Sequence, residues 1–281
     1  MRRYAIRTFY DGLNYHGYQR QPDRRTIEGT LIEALVNTGY IDSPENNKFR
    51  SASRTDRYVS SIGNVFAFSS EENIILDQLN AALPNDHSII CWSLANVSDD
   101  FTPKHSRSKK YWYVLPLKYI KTTTNMDLKE IRELCSYFKG EHDFRLFCKL
   151  DYRDTKRRID EFNFIVKESL VIFEIQASSF LWEQVRRIIS YILNYNKLSE
   201  SLKNIENLLQ TKTQIKVLNI EPANPKQLIL LEHFYENINW ESSEKAIKNI
   251  IDRSYNVLTR LQQEEFLVSS IFEYFDLKKP L

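Results

Sequence analysis

Apolar and polar positions follow two rhythms along the chain. Arg3–Tyr10 (RYAIRTFY) is rich in strand-forming residues and leads into a polar turn, DGLNYHGYQRQP. In Thr26–Thr38, Ile27, Leu31 and Leu35 recur at the spacing of one helix face. Thr26 is placed to cap the first turn, and Gly39 stands just past the last. Phe49–Ser53 and Ile62–Phe68 read as strands on either side of a charged loop. Glu71–Leu83 reads as a helix stopped by Pro84, and His87–Val97 as a strand. The order β-α-β-β-α-β is that of a ferredoxin-like unit.

The same order then returns. Lys110–Leu117 predicts a strand, Asp127–Lys139 a helix ending at Gly140, and Arg158–Lys167 with Leu170–Ala177 a hairpin. Phe180–Leu193 predicts a helix, Ser199–Leu209 another, and Leu228–Tyr235 a strand. No residue-level repeat accompanies the repeated order. The predicted architecture is α+β: two ferredoxin-like (RRM-like) halves, 1–103 and 104–236, in a mostly antiparallel mixed sheet with helices on one face. A helical extension, 237–281, follows. Ile247, Ile250, Ile251, Tyr255 and Leu258 give it one apolar face, with packing onto the parent domain as the expectation.

Composition narrows the function. The 281 residues, 42% hydrophobic and 27% charged, describe a globular chain. Only 6 are glycine, and neither GxGxxG nor GxxxxGK[ST] occurs, which excludes a glycine loop for nucleotide phosphates. No apolar run approaches the roughly 20 residues of a membrane span. The basic N-terminus lacks an apolar signal core, so the expectation is a cytoplasmic protein without membrane contact. Cys91, Cys135 and Cys148 read as free thiols. The spacing of Cys135, His142 and Cys148 matches no usual zinc pattern, so no metal is expected. The net charge of +2 conceals two basic runs. One holds Lys104, Arg107, Lys109, Lys110, Lys118 and Lys121 with no acid among them; the other holds Arg153, Lys156, Arg157 and Arg158. Such runs attract a phosphate backbone.

The chemistry-bearing segment is Ser51-Ala-Ser-Arg-Thr-Asp56-Arg-Tyr-Val, between two predicted strands. Arg54 and Arg57 flank Asp56. An aspartate held by arginine is expected to stay ionised, and a fixed carboxylate on a loop is a candidate nucleophile or base. Other segments accompany it in order: Tyr10-Asp-Gly-Leu-Asn-Tyr-His-Gly-Tyr-Gln-Arg-Gln21, the helix TIEGTLIEAL, Lys109-Lys-Tyr-Trp-Tyr, Gly140-Glu-His-Asp-Phe-Arg-Leu-Phe, Thr155-Lys-Arg-Arg-Ile and Phe180-Leu-Trp-Glu-Gln-Val-Arg-Arg-Ile. Together they resemble the TruA family of tRNA pseudouridine synthases. The resemblance spans about residues 3–235, closing on Pro222-Ala-Asn-Pro-Lys-Gln-Leu-Ile-Leu.

The resemblance implies the pseudouridine synthase fold, with a catalytic cleft between the halves. It aligns Asp56 with the catalytic aspartate and Tyr111 with the tyrosine that stacks on uracil. Arg186 aligns with the arginine that pairs with the aspartate, Arg54 with the arginine that displaces the target base, and Leu181 with the apolar residue closing the pocket. It also implies a homodimer acting on the tRNA anticodon arm, at positions thirty-eight to forty, without cofactor or nucleotide. Arg20, Arg24, Arg25, Arg57, Lys104, Arg107, Lys109 and Lys110 would then meet RNA.

Uridine isomerisation suits this inventory. The N1–C1′ bond breaks and a C1′–C5 bond forms, with no redox change. A carboxylate could attack C1′ or C6, and either Asp56 or Tyr111 could remove the C5 proton. The buried base must first be flipped onto an aromatic face. The family's glycine and histidine after the RTD triplet are here Tyr58 and Ser60, and its glycine before Phe-Leu is Ser179. A tyrosine at 58 argues against a glycine-only backbone there. The rival reading is a non-catalytic RNA-binding protein with two RRM-like halves. Such a binder has no need of Asp56, Tyr111 and Arg186 together, and no RNP1 pattern is present.

Overall fold

The computed structural model describes residues 1–124, 126–152, 154–198, 203–210 and 220–274. Strands β1 (Arg2–Tyr10), β2 (Arg50–Ser51), β3 (Ser60–Ser70) and β4 (Ile89–Val97) carry helices α1 (Ile27–Asn37) and α2 (Leu76–Ala81) between them. Strand β5 (Ser108–Pro116), helices α3 (Leu117–Thr123) and α4 (Leu128–Tyr137), and strands β6 (Gly140–Asp143), β7 (Lys156–Lys167) and β8 (Leu170–Ala177) follow. Helices α5 (Gln184–Asn194) and α6 (Ile205–Leu209), strands β9 (Leu228–Phe234) and β10 (Glu241–Ser242), and helix α7 (Glu244–Tyr274) complete the order.

Among the described residues ten strands form one sheet, ordered β10-β4-β1-β3-β9-β5-β8-β7-β6, with β2 also on β3. Fourth, first, third and second strands are neighbours in each half: β4-β1-β3-β2 in one, β9-β5-β8-β7 in the other. This is the ferredoxin-like order twice over. The pairings within each half are antiparallel. The halves meet where β9 runs parallel to β3, with Ser60 opposite Ile229 and Ser61 opposite Leu230. The Ser61 hydroxyl donates to the Leu230 carbonyl across this seam at 2.9 Å.

Side-chain alternation decides which face the helices cover. Tyr4, Ile6 and Tyr10 of β1 and Phe66 and Phe68 of β3 bury against Leu31, Leu35 and Leu79 of the helices. In the second half Tyr113, Leu115, Phe162, Phe173 and Ile175 meet Ile131, Leu134, Ile188 and Ile192. On the opposite face Ala5, Val65 and Ala67 lie under Val97, Phe101, Tyr235 and Trp240. There the Arg7 guanidinium sits 4.5 Å from the Trp240 ring centre and 3.3 Å from Glu232.

Several predicted boundaries move, each for a local reason. The helix predicted over Glu71–Leu83 shortens to α2. The Tyr4 hydroxyl donates to the Glu72 carbonyl, and the Ile75 amide donates to the Tyr40 hydroxyl, holding the preceding segment against the body. The helix predicted from Phe180 begins at Gln184, because Glu183 turns left-handed (φ 62°) and the Gln184 side chain accepts the Leu181 amide at 2.8 Å. Pro116 ends β5, and α3 was not foreseen. Strands β6 and β10 were not foreseen either; both are short and polar. The helix predicted over 199–209 is described from residue 203, with α6 inside it. Arg153 and residues 275–281 lie outside the described residues. No helix among the described residues is long and apolar enough to cross a membrane.

Candidate active site

Asp56 sits on the loop between β2 and β3, and that loop is clamped from below. The Tyr10 hydroxyl shares a 2.9 Å hydrogen bond with Thr55, whose carbonyl accepts the Tyr18 amide at 3.1 Å. Asn64 brackets Ser53 through both its carbonyl and its amide. Gly12 donates its amide to the Ser60 hydroxyl at 3.1 Å. Its missing side chain is a steric requirement: a Cβ there would lie 2.2 Å from the Val59 carbonyl oxygen. The Tyr-Asp-Gly and Gly-Tyr-Gln segments thus form the floor of the Asp56 loop. Tyr58 corrects one expectation. Its backbone does take the left-handed conformation (φ 71°) despite its side chain. The ring packs under the Arg57 guanidinium at 4.4 Å and near the Lys226 ammonium at 5.6 Å, contacts that offset a left-handed cost of about 1–2 kcal/mol.

The other wall comes from the second half. Arg186, on the first turn of α5, places Nη1 3.4 Å from Asp56 Oδ2; its side chain is only 9% exposed, that of Asp56 30%. Glu183 lies 3.6 Å from Arg186 and is held by Arg187 at 2.6 Å. Arg187 is in turn fixed by the Ile220 carbonyl at 2.6 Å. The Trp182 indole neighbours Asp56 and favours its charged form. The Lys149 ammonium stands 4.0 Å from the centre of the Trp182 ring. Tyr111, half-buried on β5, meets the Phe180 ring edge-on at 5.4 Å near Ser53, whose hydroxyl accepts the Lys109 ammonium at 3.3 Å. Leu181 is buried beside them. Asp56, Arg186, Glu183, Trp182, Tyr111 and Leu181 line an open cavity of about 1410 Å³ between the halves.

The electrostatics amend the expectation for Asp56. Burial lifts its carboxyl above the ordinary aspartate value; the Arg186 guanidinium pulls it back, and the neighbouring Glu183 charge lifts it further. Arg186 therefore opposes the rise without outweighing it. Burial pushes the Tyr111 phenol up to about 12, so it is a proton donor at neutral pH.

The basic residues divide. Arg20, Arg24, Arg54, Arg57, Lys104 and Lys109 line the cavity. Arg25 lies over the Tyr15 ring, and Arg107 pairs with Glu236 at 2.9 Å. Lys110 points to the opposite face of β5 from Tyr111 and stands 3.7 Å from Glu174. The sequence reasoning passed over Trp182, Glu183 and Lys149. The first two lie inside the Phe-Leu-Trp-Glu-Gln-Val-Arg-Arg run, and the Glu183-to-Arg186 and Glu183-to-Arg187 spacings are those of helical ion pairs. Lys149 carries no such signal. His142 bonds the Lys139 carbonyl at 2.8 Å, and Cys135 and Cys148 are buried. No group of three or more His, Cys, Asp or Glu able to hold a metal ion occurs among the described residues.

Comparison with known proteins adds a further observation. The family model described as tRNA pseudouridine synthase matches residues 134–236. The chain is 38% identical to "tRNA pseudouridine synthase A" of Pyrococcus abyssi, over 88% of this chain and 89% of that one. It is 38% identical to the protein of the same name from Thermococcus kodakarensis, over 91% and 95%. Against the protein of that name from Archaeoglobus fulgidus the identity is 33% over 99% of this chain and 97% of the other, so that alignment takes in the C-terminal extension.

Proposed function

Because the chain belongs to the tRNA pseudouridine synthase family, and so isomerises uridine in tRNA, we propose that Asp56 is the nucleophile of that reaction. The observation that carries this is the placing of one partly exposed carboxylate in the cleft between the halves, 3.4 Å from a buried arginine. Tyr111 lines the same cavity.

The roles follow from the chemistry. The target uridine leaves its stack and enters the cleft, where the Tyr111 ring supplies an aromatic face. Ionised Asp56 adds to the nucleoside, the N1–C1′ bond breaks, and the uracil turns so that C5 meets C1′. The bond to Asp56 breaks again as the product forms and its carboxylate is regenerated; the C5 proton departs last and N1 ends protonated, so atoms and charge balance. Arg186 orients the carboxylate and favours its charged form. Leu181 closes the apolar side of the pocket. Arg54 and Arg57, on the loop beside Asp56, are placed to occupy the gap left by the base. Arg24, Lys104 and Lys109 on the cavity wall suit phosphate contacts. The resemblance supports an anticodon stem-loop target, at positions thirty-eight to forty, and a homodimer as the working form. Sedimentation of the purified protein tests the latter.

The decisive assay is tritium release from C5-labelled uridine in unmodified tRNA. The native protein should release tritium, and Asp56→Ala should release none while still binding tRNA. Undiminished release by Asp56→Ala would overturn the assignment.

A further inference from the structure

Two large aromatic side chains lining the cleft stay exposed. Tyr152 is 97% exposed and Trp182 44%, and both line the cavity that holds Asp56. The other large aromatic residues of that wall are withdrawn: Tyr18 and Phe49 are buried, Tyr111 and Phe180 half-buried. A scattered exposed aromatic is ordinary on a protein surface. Two on the rim of one RNA-modifying cleft are not scattered, and one of them is held in a fixed attitude.

That one is Trp182. Its indole neighbours the Asp56 carboxylate and favours the charged form. The Lys149 ammonium sits on its ring at 4.0 Å, and the Lys149 amide donates to the Trp182 carbonyl at 2.9 Å. The ring is therefore held by a cation and its backbone by a hydrogen bond, and 44% of the residue still faces solvent. The same loop runs on from Lys149 through the exposed Leu150 and Asp151 to Tyr152. Arg54, Arg57 and Lys104 line the same cavity and give its rim the charge a phosphate backbone requires.

Extruding one nucleotide from a helix leaves its two neighbours without a stacking partner. An aromatic plane at the pocket mouth restores that stacking, and it does so for any base, since every base has a π-face. We propose that Trp182 and Tyr152 form a stacking subsite for the nucleobases that border the target uridine, with Lys149 bracing the indole from behind. The subsite accepts a base by its face, so it grips the RNA beside the target without dictating the neighbouring sequence. This rests on the placement of the target uridine at Asp56 proposed above.

The test uses stem-loop RNAs carrying 2-aminopurine on either side of the target uridine, bound to the full-length Asp56→Asn protein so that no turnover intervenes. Stacking on an aromatic ring should quench the probe. Quenching should persist in an added Trp182→Phe, which keeps a ring but loses the indole N–H, and should be lost in Trp182→Leu. Tyr152→Ala should remove quenching at one neighbour and weaken RNA binding by roughly 5- to 150-fold, the range for one stacked base. Equal quenching in Asp56→Asn and in its Trp182→Leu, Tyr152→Ala derivative overturns the subsite. Should the Trp182 variants fail to fold, Tyr152→Ala decides alone, because its side chain supports nothing in the core. Unchanged affinity and unchanged quenching there would sink the proposal. Failure of the Asp56 assignment has a different signature: tritium release that survives Asp56→Ala, whatever the probe reports.

Discussion

At the scale of single residues, the Asp56 carboxyl lies between opposing influences. Burial and the Glu183 charge disfavour its ionised form, and Arg186 favours it. A carboxyl raised in this way loses its charge at a higher pH than an ordinary aspartate does. The acid limb of single-turnover activity should therefore lie above the usual aspartate range. Glu183→Gln removes one of the lifting charges and should move that limb toward lower pH; a limb that stays in place would show that Glu183 does not act on Asp56. Tyr111 titrates near 12 and keeps its proton throughout this range. Tyr111→Phe, which retains the ring, should keep more activity than Tyr111→Ala; equal losses would point to the hydroxyl instead. Asp56, Tyr111 and Arg186 were legible in the sequence because each belongs to a short ordered motif. Trp182 was hidden because its exposure and its approach to Asp56 arise only when the halves are assembled. The rise in the Asp56 pKa was hidden for the same reason, since desolvation is a property of the closed cleft.

At the scale of elements, the turn after β1 and the Asp56 loop are one unit. A Cβ at Gly12 would meet the Val59 carbonyl at 2.2 Å. Gly12→Ala should force the two segments apart at a cost of roughly 1–3 kcal/mol, read as a fall in Tm, with a loss of turnover in step. The α1 cap, where Thr26 accepts the Gly29 amide at 3.2 Å, was readable from the Thr26-to-Gly39 pattern. Long elements with a strong apolar period, such as β1 and α1, declared themselves. Strands β6 and β10 did not, because four and two polar residues carry no period and are made strands by their neighbours. The start of α5 was misplaced because a left-handed glutamate is not a pattern any spacing reveals.

At the scale of the whole molecule, the cations separate into those on the cavity wall and those elsewhere. Arg24→Glu and Lys104→Glu should weaken tRNA binding and each flatten its salt dependence by about one unit of slope. Arg107→Glu and Lys110→Glu, whose side chains pair with Glu236 and Glu174, should leave that slope unchanged; a flattening there would extend the RNA path beyond the cavity. Helix α7 reaches back to the site's floor. Arg253 donates to Asp11 at 2.5 Å, both side chains being largely buried, and Asp11 in turn caps the turn that carries Gly12. Truncation after Tyr235 should therefore lower both Tm and turnover. A fully active truncated protein would reduce α7 to an appendage.

The parallel seam between β3 and β9 carries a consequence for synthesis on the ribosome. Asp56 lies before the seam's first strand and Arg186 before its second, and the seam joins Ser61 to Leu230, 169 positions on, so it closes only once the second half has left the tunnel. Until then the stretch of β3 that receives β9 has no partner on that side, and Asp56 lacks Arg186. The order of translation thus keeps Asp56 and Arg186 apart until the last strand of the seam is in place.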